Sequence, residues 1–292
     1  MCYVLQTGMI PSDTLEGDGP FEPVSLSPLR LSPEPGGALL HCPNGHCFDI
    51  AKEGYVHLLP ANQKHSKSPG DDKGMVTARN QFLSRDYYAP LREALCALAL
   101  EHTGGQVSVL DSGCGEGYYT AGIHAALTGA GRQVALAGID LSKPSVRLAA
   151  KRLPQGEFAV ASAYHLPVAD QRVDLLLNCF SPLALEEFRR VLRPGGLFLY
   201  VVPAAKHLWE LKQVLYDKPY PNQEQDIPYE GFSYVSVVPV DTTMEVAGED
   251  LPNLFQMTPY YWKTPKEGAA RLAALDGLKV QASFRIHVFR RD

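Results

Sequence analysis

The chain has 292 residues, 45% of them hydrophobic and 20% charged, the balance of a globular protein long enough for one large domain with a small one beside it. No apolar run approaches the roughly 18 residues that span a bilayer, and the N-terminus has no basic stretch leading into an apolar core, so neither a membrane association nor a signal peptide is expected. Net charge is −5, which argues against a uniformly basic nucleic-acid-binding surface, and six scattered cysteines are no disulfide framework, so reduced thiols and a cytoplasmic location are expected.

In chain order, residues 1–20 read as a loosely ordered tail, with Pro and Gly continuing to about residue 36. Residues 21–60 read as a small N-terminal domain holding Cys42, His46 and Cys47 near turn residues. A linker follows at 61–74, and the large domain is expected to fill 75–292. Between Lys64 and Arg85, the basic residues Lys64, Lys67, Lys73, Arg79 and Arg85 outnumber Asp71 and Asp72. On charge alone this is a solvated face; beside a cleft it would line a path for an RNA backbone.

Helical spacing starts at Met75–Leu83 and resumes at Pro90–Glu101, where Leu91, Leu95, Leu98 and Ala99 share one face. Strands and helices then alternate. Strands are predicted at Val107–Leu110, Val134–Ile139, Phe158–Ala161, Asp174–Asn178 and Leu197–Val202. Helices are predicted at Tyr119–Leu127, at Ser142–Leu153 with Ser142 as N-cap, and at Leu185–Leu192, stopped by the turn Arg193–Gly196. That rhythm predicts an α/β fold, a doubly wound, mostly parallel sheet with helices on both faces. Residues 217–256 read as an irregular insertion or lid, and Leu278–Arg290 as one or two closing strands.

The loop Val109–Thr120, VLDSGCGEGYYT, carries the chemistry. A dinucleotide loop has its third glycine three residues after the second, for tight helix packing. Here Gly113, Gly115 and Gly117 alternate, and Tyr118 stands where that glycine would be. Asp111, at the strand tip, would repel a pyrophosphate but suits a ligand with a sulfonium and an α-amino group. Asp140, ending the second strand, is placed for two hydrogen bonds to ribose hydroxyls. Ser162, after the third strand, is placed to meet an adenine edge. The pattern therefore points to S-adenosylmethionine and a class I, Rossmann-like methyltransferase.

Four stretches together, His46–Pro60, Asp111–Thr120, Ala205–Lys212 and Leu254–Pro259, resemble the bacterial 23S rRNA (guanine-N1)-methyltransferases, from about Val24 to the end of the chain. The resemblance implies transfer of a methyl group to N1 of a guanine in the helix-35 hairpin of 23S rRNA, a small zinc-ribbon-like, RNA-recognising N-terminal domain, and a homodimer. It also implies cofactor contacts at Tyr88, Cys114, Gly115 and His207. Unaided, Tyr88 reads as a packed aromatic and His207 as a residue at a helix start.

The chain departs from the family in the metal site. The family pattern is Cys-x-x-Cys, then Cys-x-x-x-His; Cys42 and His46 remain, while Leu26 and Leu29 stand near the first pair's positions. A closed structural zinc site takes four N or S ligands. Two remain, which leaves zinc doubtful and suggests an apolar mini-core in its place.

For the transfer itself, Asn178 and Phe180 follow the fourth strand, the usual acceptor-facing position. Asn178 is a candidate to hydrogen-bond the guanine edge and Phe180 to stack on a base taken out of the hairpin. Their plain structural readings are a strand-end cap and a core ring. Two other functions fit the same residues: methylation of a small molecule or another RNA, and a non-catalytic module that binds the cofactor. Dependence of methyl incorporation on RNA separates the first, and multiple turnover excludes the second.

Overall fold

The computed structural model describes residues 32–33, 39–41, 47–59, 69–224 and 228–292. Three short strands, β1 (Ser32–Pro33), β2 (Leu39–His41) and β3 (Cys47–Asp49), pair antiparallel in a small sheet of their own. The elements that follow are β4 (Tyr55–His57), α1 (Lys73–Leu83), α2 (Ala89–His102), β5 (Gln106–Ser112), α3 (Tyr118–Gly129), β6 (Gln133–Asp140), α4 (Lys143–Arg152), β7 (Glu157–Val160), β8 (Val173–Cys179), α5 (Leu185–Val191) and β9 (Leu192–Pro203). The C-terminal part adds α6 (Trp209–Leu215), β10 (Phe232–Ala247), α7 (Asp250–Gln256), α8 (Tyr260–Lys263), α9 (Lys266–Ala273) and β11 (Gly277–Arg291).

The large sheet has the order β10-β11-β9-β8-β5-β6-β7-β4. Its pairs are parallel from β4 through β9, and β11 runs antiparallel to both β9 and β10. Successive residues of the central strands are buried on opposite faces. Val107, Val109, Leu175, Leu177, Leu197 and Leu199 join one core with α2, α3 and α4. Leu110, Leu176 and Phe198 join the other with Phe188 and Val191 of α5. Burial on both faces is why these strands read as continuous apolar runs.

The α/β architecture expected from the sequence is present, with local differences. Residues 217–256 are not an irregular lid: they contain β10, which pairs along its length with β11, and α7. Asp241, Thr243 and Glu245 face solvent there while Val240, Met244 and Val246 are buried, so the alternation is that of a half-exposed strand. The C-terminal segment is one strand. Arg193–Gly196 is a turn inside the start of β9: Val173 pairs with Leu192 and Leu175 with Leu197, so these residues bulge out, with Gly195 at φ 75°. β4, in the stretch read as the small domain, extends the large sheet by pairing with β7.

The order of strands reverses between β5 and β8. The carboxyl ends of both, and of β6, β7 and β9, open onto the same edge of the sheet, where ligands of open α/β sheets bind.

Candidate active site

A cavity of about 760 Å³ lies at that edge. Asp111, in β5, is 2% exposed. Its Oδ2 accepts the Thr120 hydroxyl at 2.5 Å, and its Oδ1 is buried without a partner. Burial pushes its carboxyl up to about 7 against the hydroxyl's opposing pull, and the nearby Asp140 and Glu116 add to the rise.

The three loop glycines have separate reasons. Gly113 has φ 85°, and a Cβ there would run into the Ser181 side chain. Gly117 has φ 81°, and a Cβ would come within 3.0 Å of Ala149 Cα, so it lets α3 start against α4. Gly115, at φ 55°, lines the cavity and has nothing within 4 Å of a Cβ position. Its backbone is open to a ligand.

Asp140, at the end of β6, accepts the backbone N–H of Ser142 at 2.7 Å and of Gly115 at 3.1 Å. It therefore fastens the loop after β5 to the loop after β6. Residues 70–72 are packed on the same place: Ser142 Oγ donates to the Asp71 carbonyl at 2.8 Å, and Asp72 caps α1 by accepting Met75 N–H. Arg79 is turned inward. It pairs with Asp71 at 2.5 Å and donates to the Met257 carbonyl at 3.4 Å. Among the described residues it is the lone lysine or arginine lining the cavity. Glu116, 3% exposed, also lines it and has an unpartnered Oε1.

Tyr88 and His207 also line the cavity, their rings 6.2 Å apart and each packed on Phe284. His207 Nδ1 accepts the Ser283 backbone N–H at 3.2 Å. Burial first, and the Lys212 charge second, push its imidazole down to about 3. It is neutral, with its proton on Nε2. Burial raises the thiols of Cys114 and Cys179, so neither is a poised nucleophile. Ser162 lines the cavity, and its Oγ accepts Tyr164 N–H at 3.2 Å.

The structure thus brings together Tyr88, Asp111, Gly113, Cys114, Gly115, Asp140, Ser162, Phe180 and His207 around one cavity. Gly117 stands behind it in the packing of α3. Asn178 does not line it. Its amide donates to Ser181 Oγ at 2.8 Å and the Pro182 carbonyl at 3.1 Å, deep under the turn. Phe180 has φ 56° and is 47% exposed, with its ring 5.6 Å from that of Phe284. Cys42 and His46 lie outside the described residues. Among the described residues no group of three or more His, Cys, Asp or Glu is placed to hold a metal.

The sequence reading missed Asp71, Arg79, Glu116 and Tyr260. Arg79 sat in a segment read as a solvated face or RNA path, and nothing in an eight-residue spacing tells that Asp71 draws it inward.

Comparison with known proteins adds to this geometry. Residues 26–67 match the family model described as "RlmA, N-terminal", a zinc ribbon, and residues 109–196 match a methyltransferase domain. The chain is 35% identical over 266 residues to the 23S rRNA (guanine(748)-N(1))-methyltransferase of Streptomyces fradiae, covering 88% of this chain and 90% of that protein. The chain belongs to the 23S rRNA (guanine-N1)-methyltransferase family. Putative members from Micromonospora griseorubida, 34% identical with 92% of this chain and 96% of that protein covered, and from Bacillus subtilis, 31% identical with 81% and 85% covered, align over similar lengths. The family's cofactor, S-adenosylmethionine, fits the residues present. Two buried carboxylates offer unpartnered oxygens to cationic groups, and Gly115 leaves room for close approach.

Proposed function

We propose that this member of the family transfers the methyl group of S-adenosylmethionine to N1 of a guanine in 23S rRNA. The observation that carries the reading is the cavity itself, lined both by the buried acids Asp111 and Glu116 of the glycine loop and by the exposed rings of Tyr164 and Phe180. The bound cofactor supplies an activated sulfonium methyl group, so the protein's contribution is chiefly positioning.

Asp140 orients the ribose hydroxyls, with its backbone partners holding the carboxylate still. Asp111 and Glu116 face the amino end of the methionine moiety. Tyr88 and the Nε2–H of His207 hydrogen-bond its carboxylate, and Ser162 meets the adenine. Phe180 stacks on the guanine, and Asn178 acts as a positioning residue by holding Ser181 and the turn that presents Phe180. Guanine N1 carries a proton at neutral pH that must leave. His207 is too weak a base, and the buried thiols and the Tyr88 phenol keep their own protons. With Asp111 and Glu116 committed to the amino group of the cofactor, solvent at the cavity is left as the proton's acceptor.

The resemblance also supports RNA binding with the help of the small N-terminal unit, and a homodimer; a monomeric mass in solution would remove the dimer. Zinc enters no step.

The test is incubation with labelled S-adenosylmethionine and unmodified 23S rRNA, followed by nucleoside analysis, with and without a zinc chelator. Label in N1-methylguanosine that survives chelation is expected. No label in RNA, with cofactor binding intact by calorimetry, would overturn the reading.

A further inference from the structure

Six aromatic side chains are exposed among the described residues: Tyr164, Phe180, Tyr220, Tyr234, Tyr261 and Trp262. Two of them line the cavity, and three more stand on segments that adjoin its lining. Tyr164 and Phe180 line it. Tyr261 and Trp262 follow Tyr260, another lining residue, in the single turn α8. Tyr220 is tied to the same place through Lys212, whose Nζ lies 5.3 Å from the ring of Tyr220 and 5.3 Å from that of Tyr260.

These rings are held. The Tyr261 ring packs on Phe255 at 5.4 Å and on Trp262 at 5.1 Å. Lys212, itself 2% exposed, donates to the Tyr220 carbonyl at 3.0 Å and to Asn222 Oδ1 at 2.7 Å. The surroundings are basic although the chain is acidic. Residues 205–220 and 258–271 contain Lys206, Lys212, Lys218, Lys263, Lys266 and Arg271 against Glu210, Asp217 and Glu267. The two segments form one surface, because Arg271 donates to the Val214 carbonyl at 2.8 Å and pairs with Asp217 at 3.1 Å.

Exposed rings interleaved with lysines are what unpaired nucleotides bind: the rings offer stacking faces and the ammonium groups meet phosphates. We propose that Tyr220, Tyr261 and Trp262 form a stacking platform for the unpaired RNA nucleotides that flank the guanine held in the cavity. The inference rests on the reading that the acceptor is an RNA guanine, and it assigns the path of the strand entering the site. The exposed Lys206, Lys218, Lys263 and Lys266 hold the backbone, which ties binding to ionic strength.

Trp262 reports on this directly. Oligouridine titrated into the full-length protein should quench tryptophan fluorescence, less so as salt rises, and the quenching should be lost in W262F. The paired variant Tyr261→Ala with Trp262→Ala should raise the RNA KM about 10–100-fold, the size of one or two lost stacked bases. Its kcat, cofactor affinity and melting temperature should stay near those of the parent, and W262F should keep most of the RNA affinity. An unchanged KM, or no quenching by oligouridine, overturns the platform even if 23S rRNA is methylated. Quenching by oligouridine with no methylation of 23S rRNA keeps the platform and overturns the acceptor reading instead.

Discussion

Ser181 Oγ donates to the Ser112 carbonyl across 2.7 Å and so ties the turn after β8 to the end of β5, on the two sides of the strand-order reversal. Asn178 donates to the same Oγ, and Gly113 faces it without a side chain. Gly113→Ala would combine a left-handed φ with a Cβ driven into Ser181. It should destabilise the protein by about 2–4 kcal/mol. Gly115→Ala has the left-handed φ but no collision, so it should cost about 1 kcal/mol of stability. Its methyl group projects into the cavity and should weaken cofactor binding at least about tenfold. Urea denaturation and calorimetry on the two variants check the contrast, and equal stability losses would contradict it.

The carboxyl of Asp111 stands near 7 in the folded chain, raised by burial from its ordinary value. Between about pH 4 and 7 the folded state therefore keeps a proton that the unfolded chain has lost, and stability of the cofactor-free protein falls as pH rises through that window. Asp111→Asn removes the effect and should be more stable than the parent at pH 8, by about 2–4 kcal/mol. The same variant should bind S-adenosylmethionine more weakly, having no charge for the amino group. Binding to the parent near pH 6–7 should release a proton. Calorimetry in two buffers of different ionisation enthalpy measures that release, and it should vanish in the variant.

Much of this was legible in the sequence because strand burial and loop chemistry leave local marks. β5, β6 and β8 are apolar runs ending in or near Asp111, Asp140 and Asn178, and alternating glycines can be seen without a structure. β10 was not legible: its exposed positions carry Thr, Asp and Glu, which on an outermost strand face water, and its buried ones fit either a strand or a loop. Asn178 stands on the strand end the sequence indicates, but the direction of its carboxamide depends on the Ser181 hydroxyl and the Pro182 carbonyl. The inward turn of Arg79 depends on how residues 70–72 dock on Ser142, a contact across some seventy residues. Tyr88 and His207 came only from family resemblance, since their meeting on Phe284 joins three distant segments.

His207 gives a pH signature of the opposite sign. Its imidazole is held near 3, below the ordinary 6.5, because burial and Lys212 disfavour the cation. Between those values the unfolded chain binds a proton that the folded chain refuses, so stability is lost as pH falls below about 6.5. From pH 7 to pH 5 this contribution should amount to about 2 kcal/mol. His207→Asn can still accept the Ser283 N–H through its side-chain oxygen but does not titrate. The difference in unfolding free energy between parent and variant should change by that amount between pH 7 and pH 5, which cancels the contribution of Asp111. A constant difference would mean that the imidazole is not buried neutral.

Phe180 adopts φ 56°, which costs a residue with a side chain about 1–2 kcal/mol, yet its ring is half-exposed rather than packed away. Its N–H donates to the Val201 carbonyl at 3.2 Å, so the backbone is pinned while the ring stands at the cavity wall beside Phe284. Strain retained without burial in return fits a ring kept for the acceptor base. Phe180→Ala should leave cofactor affinity unchanged and lower kcat/KM for RNA about 10–100-fold, the worth of one stacked base. Phe180→Gly should match Ala in activity but gain stability over it, because glycine adopts this φ freely. Phe180→Trp should keep most of the activity. If Ala and Trp were equally impaired, the ring would be there for the shape of the turn, and stacking on guanine would be excluded.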